Sequence, residues 1–487
     1  MENRGRSEAK LNQAVTKYLQ RYGCLDSINN RNWSIKQSPL GGFGVFATRT
    51  IEAGEIIFTD HPVILGPRCL SSLPVQCTVC YRSKTPTVSK CPNKCGLHVC
   101  EECSKSQTHA SECALLGRLS AGRDMSEHNE RLTRSLTPLR GLLLDADDLD
   151  VVGCLVTTHA GPRPGGEALT LVEELRLGFT DEEYRLVCFV CGAFDANAFE
   201  VLTNEDEARS TIRGLYPLGS LANHRCFPNA FHVFDGNYRM ITRASVEIPE
   251  SAEIFHSYTR LLWGTVTRIH HLRNSKRFLC KCERCKDPTE FGTCLSALNC
   301  NRCPGKVLPV DPARSSSSWR CDTCSAIRDL GDISKTLSLI GAVIKGFAGD
   351  DFDIIYRFLT TKLTTLVPDC NQVAVELKYN INWILGYKSG YLLNEIPLDL
   401  LLIKKQYCDD ILKLVDQLRL GKCRIKGLLC YEVYLCNEEL KRRRIANGNN
   451  DEIVDDNEAN IKLEEAADIL KYDFSAPPLL KQRFNHK

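Results

Sequence analysis

Apolar positions repeat at helical spacing in some stretches of the chain and alternate in others, and the change of period marks its parts. Leu11, Val15, Leu19 and Tyr22 stand three or four apart over residues 8–22, which predicts a packing helix. IKQSPLGGFGVFATRTIEAGEIIF, residues 35–58, predicts strand, glycine turn, strand, a turn at Glu52–Gly54, and strand. In EIPESAEIFHSYTR, Ile254 and Phe255 predict a short strand just before Tyr258. Residues 114–185 return to a helical pattern. From about residue 332, segments such as ISKTLSLIGAVIKGF, DDILKLVDQLRL and LLCYEVYLCNEELKRRR keep helical spacing. They predict an all-α C-terminal domain, without a clean tetratricopeptide-like repeat. GPRPGGEA (161–168) and PARSSSSW (312–319) predict loops, and DEIVDDNEAN (451–460) an acidic loop. Lys441–Arg444 reads as a solvated helix end.

A chain of 487 residues predicts about three domains. Hydrophobic residues make up 43% and charged residues 25%, an ordinary globular balance. The net charge of +2 gives no global field for nucleic acid or membrane binding. The charged start MENRGRSEAK does not read as a secretory signal, and no apolar run is long enough to span a bilayer. The expectation is a cytoplasmic or nuclear protein, where thiols stay reduced. The 26 cysteines then read first as metal ligands, wherever their spacing is short and fixed.

Three constellations have such spacing. Cys77-x2-Cys80, Cys91-x3-Cys95, Cys100-x2-Cys103 and His109-x3-Cys113 put eight ligands in 37 residues, enough for two tetrahedral zincs. His98 lacks that spacing and reads as a surface or packing histidine. FLCKCERC supplies Cys280, Cys282 and Cys285, one short of a tetrahedron; Cys226 is a candidate for the fourth. Cys300-x2-Cys303 and Cys321-x2-Cys324, 17 residues apart, read as a zinc ribbon. Closed four-ligand sites are structural, so no catalytic zinc is expected. The remaining cysteines, Cys294 among them, read mostly as small core hydrophobes.

Taken alone, the glycine turn reads as a plain hairpin, and Tyr258 as packing. Their order changes the reading. A glycine turn, an eight-ligand zinc module, NHRCFPN (223–229), a strand ending in Tyr and CxCxxC follow one another. In this order the chain resembles the SET and MYND domain (SMYD) family of protein lysine methyltransferases, and most closely its arthropod branch. The resemblance covers residues from about 33 to 330 and a plausible helical tail.

It implies an α+β architecture: a β-rich SET fold with a knot-like crossing, an inserted MYND module, a post-SET zinc site, a ribbon and a helical C-terminal domain. The segments are an N-terminal helix (1–32), SET (33–258), MYND (77–113), a helical linker (114–185), post-SET (259–290), ribbon (291–330) and helical domain (331–487). The implied methyl donor is S-adenosylmethionine. Gly42, Phe43 and Gly44 would follow its amino-acid end, Asn223 and His224 would contact it, Phe278 would flank the adenine, and Asn197 would lie nearby. Tyr258 would orient methyl group and amine, as catalytic residue. In the MYND module the ligand pairs alternate: Cys77, Cys80, Cys100 and Cys103 on one zinc, Cys91, Cys95, His109 and Cys113 on the other. Cys226 would complete the post-SET site. The implied partners are a lysine-bearing protein substrate, histone or not, and proline-containing peptides on the MYND module.

Three departures stand out. Ser251-Ala252-Glu253 replaces the family's Gly-Glu-Glu, Arg225 replaces a small residue after Asn–His, and Lys276 stands where a second Tyr is common. A cation at Lys276 could repel a substrate ammonium. An alternative reading follows: a weak or inactive SET core in a MYND-mediated interaction adaptor.

Overall fold

The computed structural model describes residues 7–24, 26–67, 75–82, 88–156, 166–203, 211–346, 351–446 and 456–485. Helix α1 (Glu8–Arg21) is capped by the Ser7 hydroxyl and buries Leu11, Val15 and Leu19. These side chains share a core with Trp33, Ile35, Val45, Phe58 and Ile254. The helix is therefore the lid of the sheet layer, as its periodicity predicts.

The predicted strands form. β1 (Trp33–Gln37) and β2 (Phe43–Ala47) pair antiparallel across the glycine turn. β3 (Ile56–Asp60) and β4 (Ile64–Pro67) follow. After the insert come β5 (Phe199–Leu202), β6 (Thr211–Leu215), β7 (Asn223–His224), β8 (Ala230–Phe234), β9 (Met240–Ala244) and β10 (Glu253–His256). They make three small sheets, ordered β1-β2-β10-β7, β8-β9-β3 and β4-β6-β5. In the first, β10 lies between β2 and β7, antiparallel to one and parallel to the other. NHRCFPN and the strand before Tyr258 are thus neighbours in space, 30 residues apart in sequence.

The insert packs on helices of the linker. Helix α2 (Gln107–Leu119) is capped by Ser106, whose hydroxyl accepts the His109 N–H. Leu97 and Val99 of the cysteine-rich segment share a core with Leu115, Leu116, Leu132 and Leu136. The linker's last helix, α3 (Asp181–Asn197), carries a capping box at Thr180–Glu183 and runs to Asn197, beyond the expected limit at 185.

Four strands, β11 (Leu298–Asn299), β12 (Lys306–Pro309), β13 (Trp319–Cys321) and β14 (Ile327–Arg328), build the ribbon. Trp319, expected in a loop, is buried in β13. Among the described residues, every element after β14 is helical, including α4 (Leu398–Gln417), α5 (Arg424–Ala446) and α6 (Asp456–Leu470). The acidic loop is corrected in part: residues 456–460 open α6, while 451–455 lie outside the described residues. Ala459, Leu463, Ala466 and Ile469 give that stretch a buried face that its charges mask. Residues 161–165 of GPRPGGEA also lie outside the described residues. Lys441–Arg444 is the end of α5. Among the described residues, no helix is long and apolar enough to cross a membrane.

Candidate methyl-transfer site and metal centres

Four clusters bring their ligand atoms within 4.8 Å of one another: Cys77/Cys80/Cys100/Cys103, Cys91/Cys95/His109/Cys113, Cys226/Cys280/Cys282/Cys285 and Cys300/Cys303/Cys321/Cys324. A tetrahedral zinc with Zn–S bonds of about 2.3 Å sets sulfur atoms about 3.8 Å apart. The sulfur–sulfur distances are 3.9 Å for Cys80–Cys100, 3.9 Å for Cys91–Cys113, 3.9 Å for Cys226–Cys280, 3.7 Å for Cys300–Cys324 and 3.5 Å for Cys303–Cys321. Their chemistry and spacing fit zinc. The alternating ligand pairs and the Cys226 completion are both present in the geometry. His98 stays out, half-buried on a two-residue strand, and Cys294 packs with Ala297, Leu308 and Cys370.

The glycine turn reaches the Asn–His pair. Asn223 Nδ2 donates to the Phe43 carbonyl at 3.1 Å and to Glu253 Oε1 at 2.7 Å. Ser38 Oγ donates to the other Glu253 oxygen at 3.0 Å. A Cβ on Gly44 would strike the Glu253 carboxylate and come within 3.0 Å of Asn223 Nδ2. Gly42 holds φ +68° with open space around it. A backbone of this kind leaves room for a ligand beside it. Glu253 is the retained residue of the altered Gly-Glu-Glu position, and it is the one with a structural task that sequence reasoning did not assign.

NHRCFPN locks onto β10 by side chains as well as backbone. Asn229 Nδ2 donates to the Glu253 carbonyl at 2.8 Å, and the Phe255 N–H donates to Asn229 Oδ1 at 2.7 Å. Arg225 is engaged outside the His224–Tyr258–Phe278 cluster. It pairs with Glu283 at 2.7 Å and lies over the Phe227 ring at 4.2 Å.

His224, Tyr258 and Phe278 form one ring cluster, with centroids 5.2 Å apart for His224–Tyr258, 5.8 Å for His224–Phe278 and 6.4 Å for Tyr258–Phe278. The Tyr258 hydroxyl donates to the Ala222 carbonyl at 2.8 Å. Burial, helped by the charge of Glu253, pushes the phenol well above its ordinary range, so it stays protonated at neutral pH. Lys276 lies beside this cluster, with Nζ 5.9 Å from the Tyr258 ring centre. Its Nζ is turned onto the carbonyls of Asp195 and Ala196, at 3.2 and 2.7 Å.

Tyr258, Lys276 and Asn197 border one cavity of about 640 Å³. Asn197 ends α3, and its amide is spent on the carbonyls of Val156 and Ala193. A second cavity, about 550 Å³, lies between the sheets and the C-terminal helices, lined by Phe231, Leu262, Tyr379 and Leu428 among others. His232, Ser257, Thr259, Arg260 and Trp263 border both cavities, so the two form adjoining chambers.

The loop bearing Tyr258 is stapled to the post-SET cluster by two buried arginines. Arg284 donates to the carbonyls of Cys226, Leu261 and Trp263. Arg268 and Arg284 both pair with Glu290, at 2.8 and 3.3 Å, and all three side chains are fully buried. Nothing in their sequence spacing signals this triad.

The SET domain family model matches residues 42–259. SET domain-containing protein SmydA-8 isoform B of Drosophila melanogaster is 32% identical over 418 residues, covering 82% of this chain and 90% of that protein. Histone-lysine N-methyltransferase ASHR1 of Arabidopsis thaliana is 28% identical, over 66% of this chain and 68% of that protein. N-lysine methyltransferase SMYD2 of Homo sapiens is 27% identical, over 51% of this chain and 59% of that protein. With the glycine turn, the NHRCFPN–β10 pairing and the four ligand clusters in place, the chain belongs to the SMYD branch of the SET-domain family.

Proposed function

We propose that the chain is a protein-lysine N-methyltransferase that uses S-adenosylmethionine. The observation that carries the reading is the convergence of the Gly42–Gly44 backbone, Asn223 and the His224–Tyr258–Phe278 cluster. The relatives named as lysine methyltransferases support it.

The open backbone at Gly42 and the Asn223–Phe43 contact support a donor site here. Gly42, Phe43 and Gly44 would follow its amino-acid end with backbone groups, Asn223 and His224 would contact it, Phe278 would flank its adenine, and Asn197 would stand near it. S-adenosylmethionine, when bound, supplies an electrophilic methyl group on a cationic sulfonium. Attack requires a neutral amine, and a free lysine of pKa about 10.4 is neutral in roughly one molecule in a thousand near pH 7.4. A buried chamber disfavours the ammonium. Tyr258 then acts by position. Its O–H is committed to the Ala222 carbonyl, so its lone pairs are left to accept an amine N–H. No acid–base pair is needed beyond this alignment.

The lysine-bearing substrate is a histone or another protein. The Cys77–Cys113 module is the place for proline-containing peptide partners, and the site of action is cytoplasm, nucleus or both. Tyr258→Phe is the test. With radiolabelled donor, transfer should fall on the order of a hundredfold while the variant still unfolds cooperatively. Full turnover in that variant would remove Tyr258 from the role.

A further inference from the structure

We propose that Lys276 is itself a methyl acceptor, an internal substrate presented to the chamber that Tyr258 faces. The inference rests on the methyl-transfer reading above.

Three observations carry it. The first is placement: Lys276 borders the same cavity as Tyr258, its Nζ 5.9 Å from the Tyr258 ring centre. The second is the hydrogen-bond count. Nζ donates to the Asp195 and Ala196 carbonyls at 3.2 and 2.7 Å, two uncharged acceptors. A neutral amine has two N–H groups and one lone pair. The two carbonyls take both N–H groups and leave the lone pair uncommitted. The third is anchoring. Lys276 ends a π-helical turn, Leu272–Lys276, followed by Arg277 at φ 61°. Phe278, two residues on, packs against His224 and Tyr258. The amine is therefore tethered to the ring cluster by its own backbone.

Burial also pushes the Lys276 amine below the usual lysine range, with the Asp195 charge opposing in part. A larger share is neutral than on a surface lysine. The step balances without an oxidant or a further reactant. The Nζ lone pair attacks the donor's methyl carbon and an N–C bond forms. The C–S bond breaks and its electron pair returns to sulfur, leaving a neutral thioether. The surplus N–H proton passes to water.

The experiment uses the full zinc-loaded chain with methyl-deuterated S-adenosylmethionine and no other protein, read by peptide mass spectrometry. The expected result is label on Lys276, acquired at a rate independent of protein concentration and absent in Lys276→Arg and Tyr258→Phe. A readout without the donor is competitive amine labelling against pH: Lys276 should reach full reactivity at lower pH than surface lysines. Ordinary lysine behaviour there would overturn the inference. So would a chain that binds the donor and methylates another protein while Lys276 stays unlabelled, or a labelling rate that rises with protein concentration. The methyl-transfer reading survives all three. A folded chain with no donor binding would overturn both.

Discussion

His224 Nδ1 accepts the backbone N–H of Tyr258 at 2.9 Å. That bond assigns the tautomer: Nδ1 carries no hydrogen, so Nε2 bears it and donates to Cys226 Sγ at 3.2 Å. One ring thus links a metal thiolate to the backbone of the residue that holds the amine. His224→Ala should lower the methyl-transfer kcat on the order of a hundredfold with bound zinc unchanged. Zinc content by atomic absorption, measured beside kcat, checks both halves; undiminished transfer contradicts the link.

Glu290 is the counter-charge for two guanidinium groups, all three fully buried. Removing it strands both cations in a dry interior. Glu290→Ala should cost about 3 kcal/mol of unfolding free energy, read by urea denaturation. Glu290→Gln keeps hydrogen-bond acceptance and should cost less. Equal loss in the two variants would show that packing, not charge, dominates.

The four ligand clusters differ in exposure. Cys226, Cys280 and Cys285 are buried, whereas Cys324 of the ribbon is exposed and Cys300 and Cys303 are half-buried. A chelator should therefore strip the ribbon first. Zinc release followed with a colorimetric chelator should show a fast phase that disappears in Cys324→Ser. Persistence of that phase would place the labile metal elsewhere.

Asp60, on β3, accepts the N–H groups of Leu218 and Gly219 at 2.8 and 2.9 Å. It thereby anchors the turn that leads into Asn223 and His224. Burial raises its pKa from 3.8 to about 7, against the lowering pull of those N–H bonds. Tyr18 and Tyr216 are its titratable neighbours. The folded state holds the proton more tightly than the unfolded state, so this contribution is full below the unfolded pKa and is lost as pH rises through about 7. The urea midpoint of the wild type should fall across that window more than that of Asp60→Asn. Parallel profiles would contradict the assignment.

Much of this site was legible because its signals are local. Cysteine spacing located the ribbon set, the eight ligands of Cys77–Cys113 and three of the post-SET four, while the division into two alternating sets and the place of Cys226 followed from the family resemblance; the glycine turn and NHRCFPN were readable as short motifs. What sequence could not show arises from contacts between distant segments. Glu253 looked like the remnant of an altered motif, yet it ties Asn223 to Ser38 across the sheet. Lys276 looked like a repulsive charge, but its Nζ is turned onto the end of α3, a contact 80 residues away in sequence. The acidic start of α6 was misread because its buried face appears only when α5 packs against it, where Gly427 lies close to Ile469 and Leu470.

The most direct test of the central claim is a calorimetric titration of the zinc-loaded chain with S-adenosylmethionine. The account predicts micromolar binding that is lost in Asn223→Ala, in a variant that still unfolds cooperatively. A folded wild-type chain that takes up no donor would contradict it.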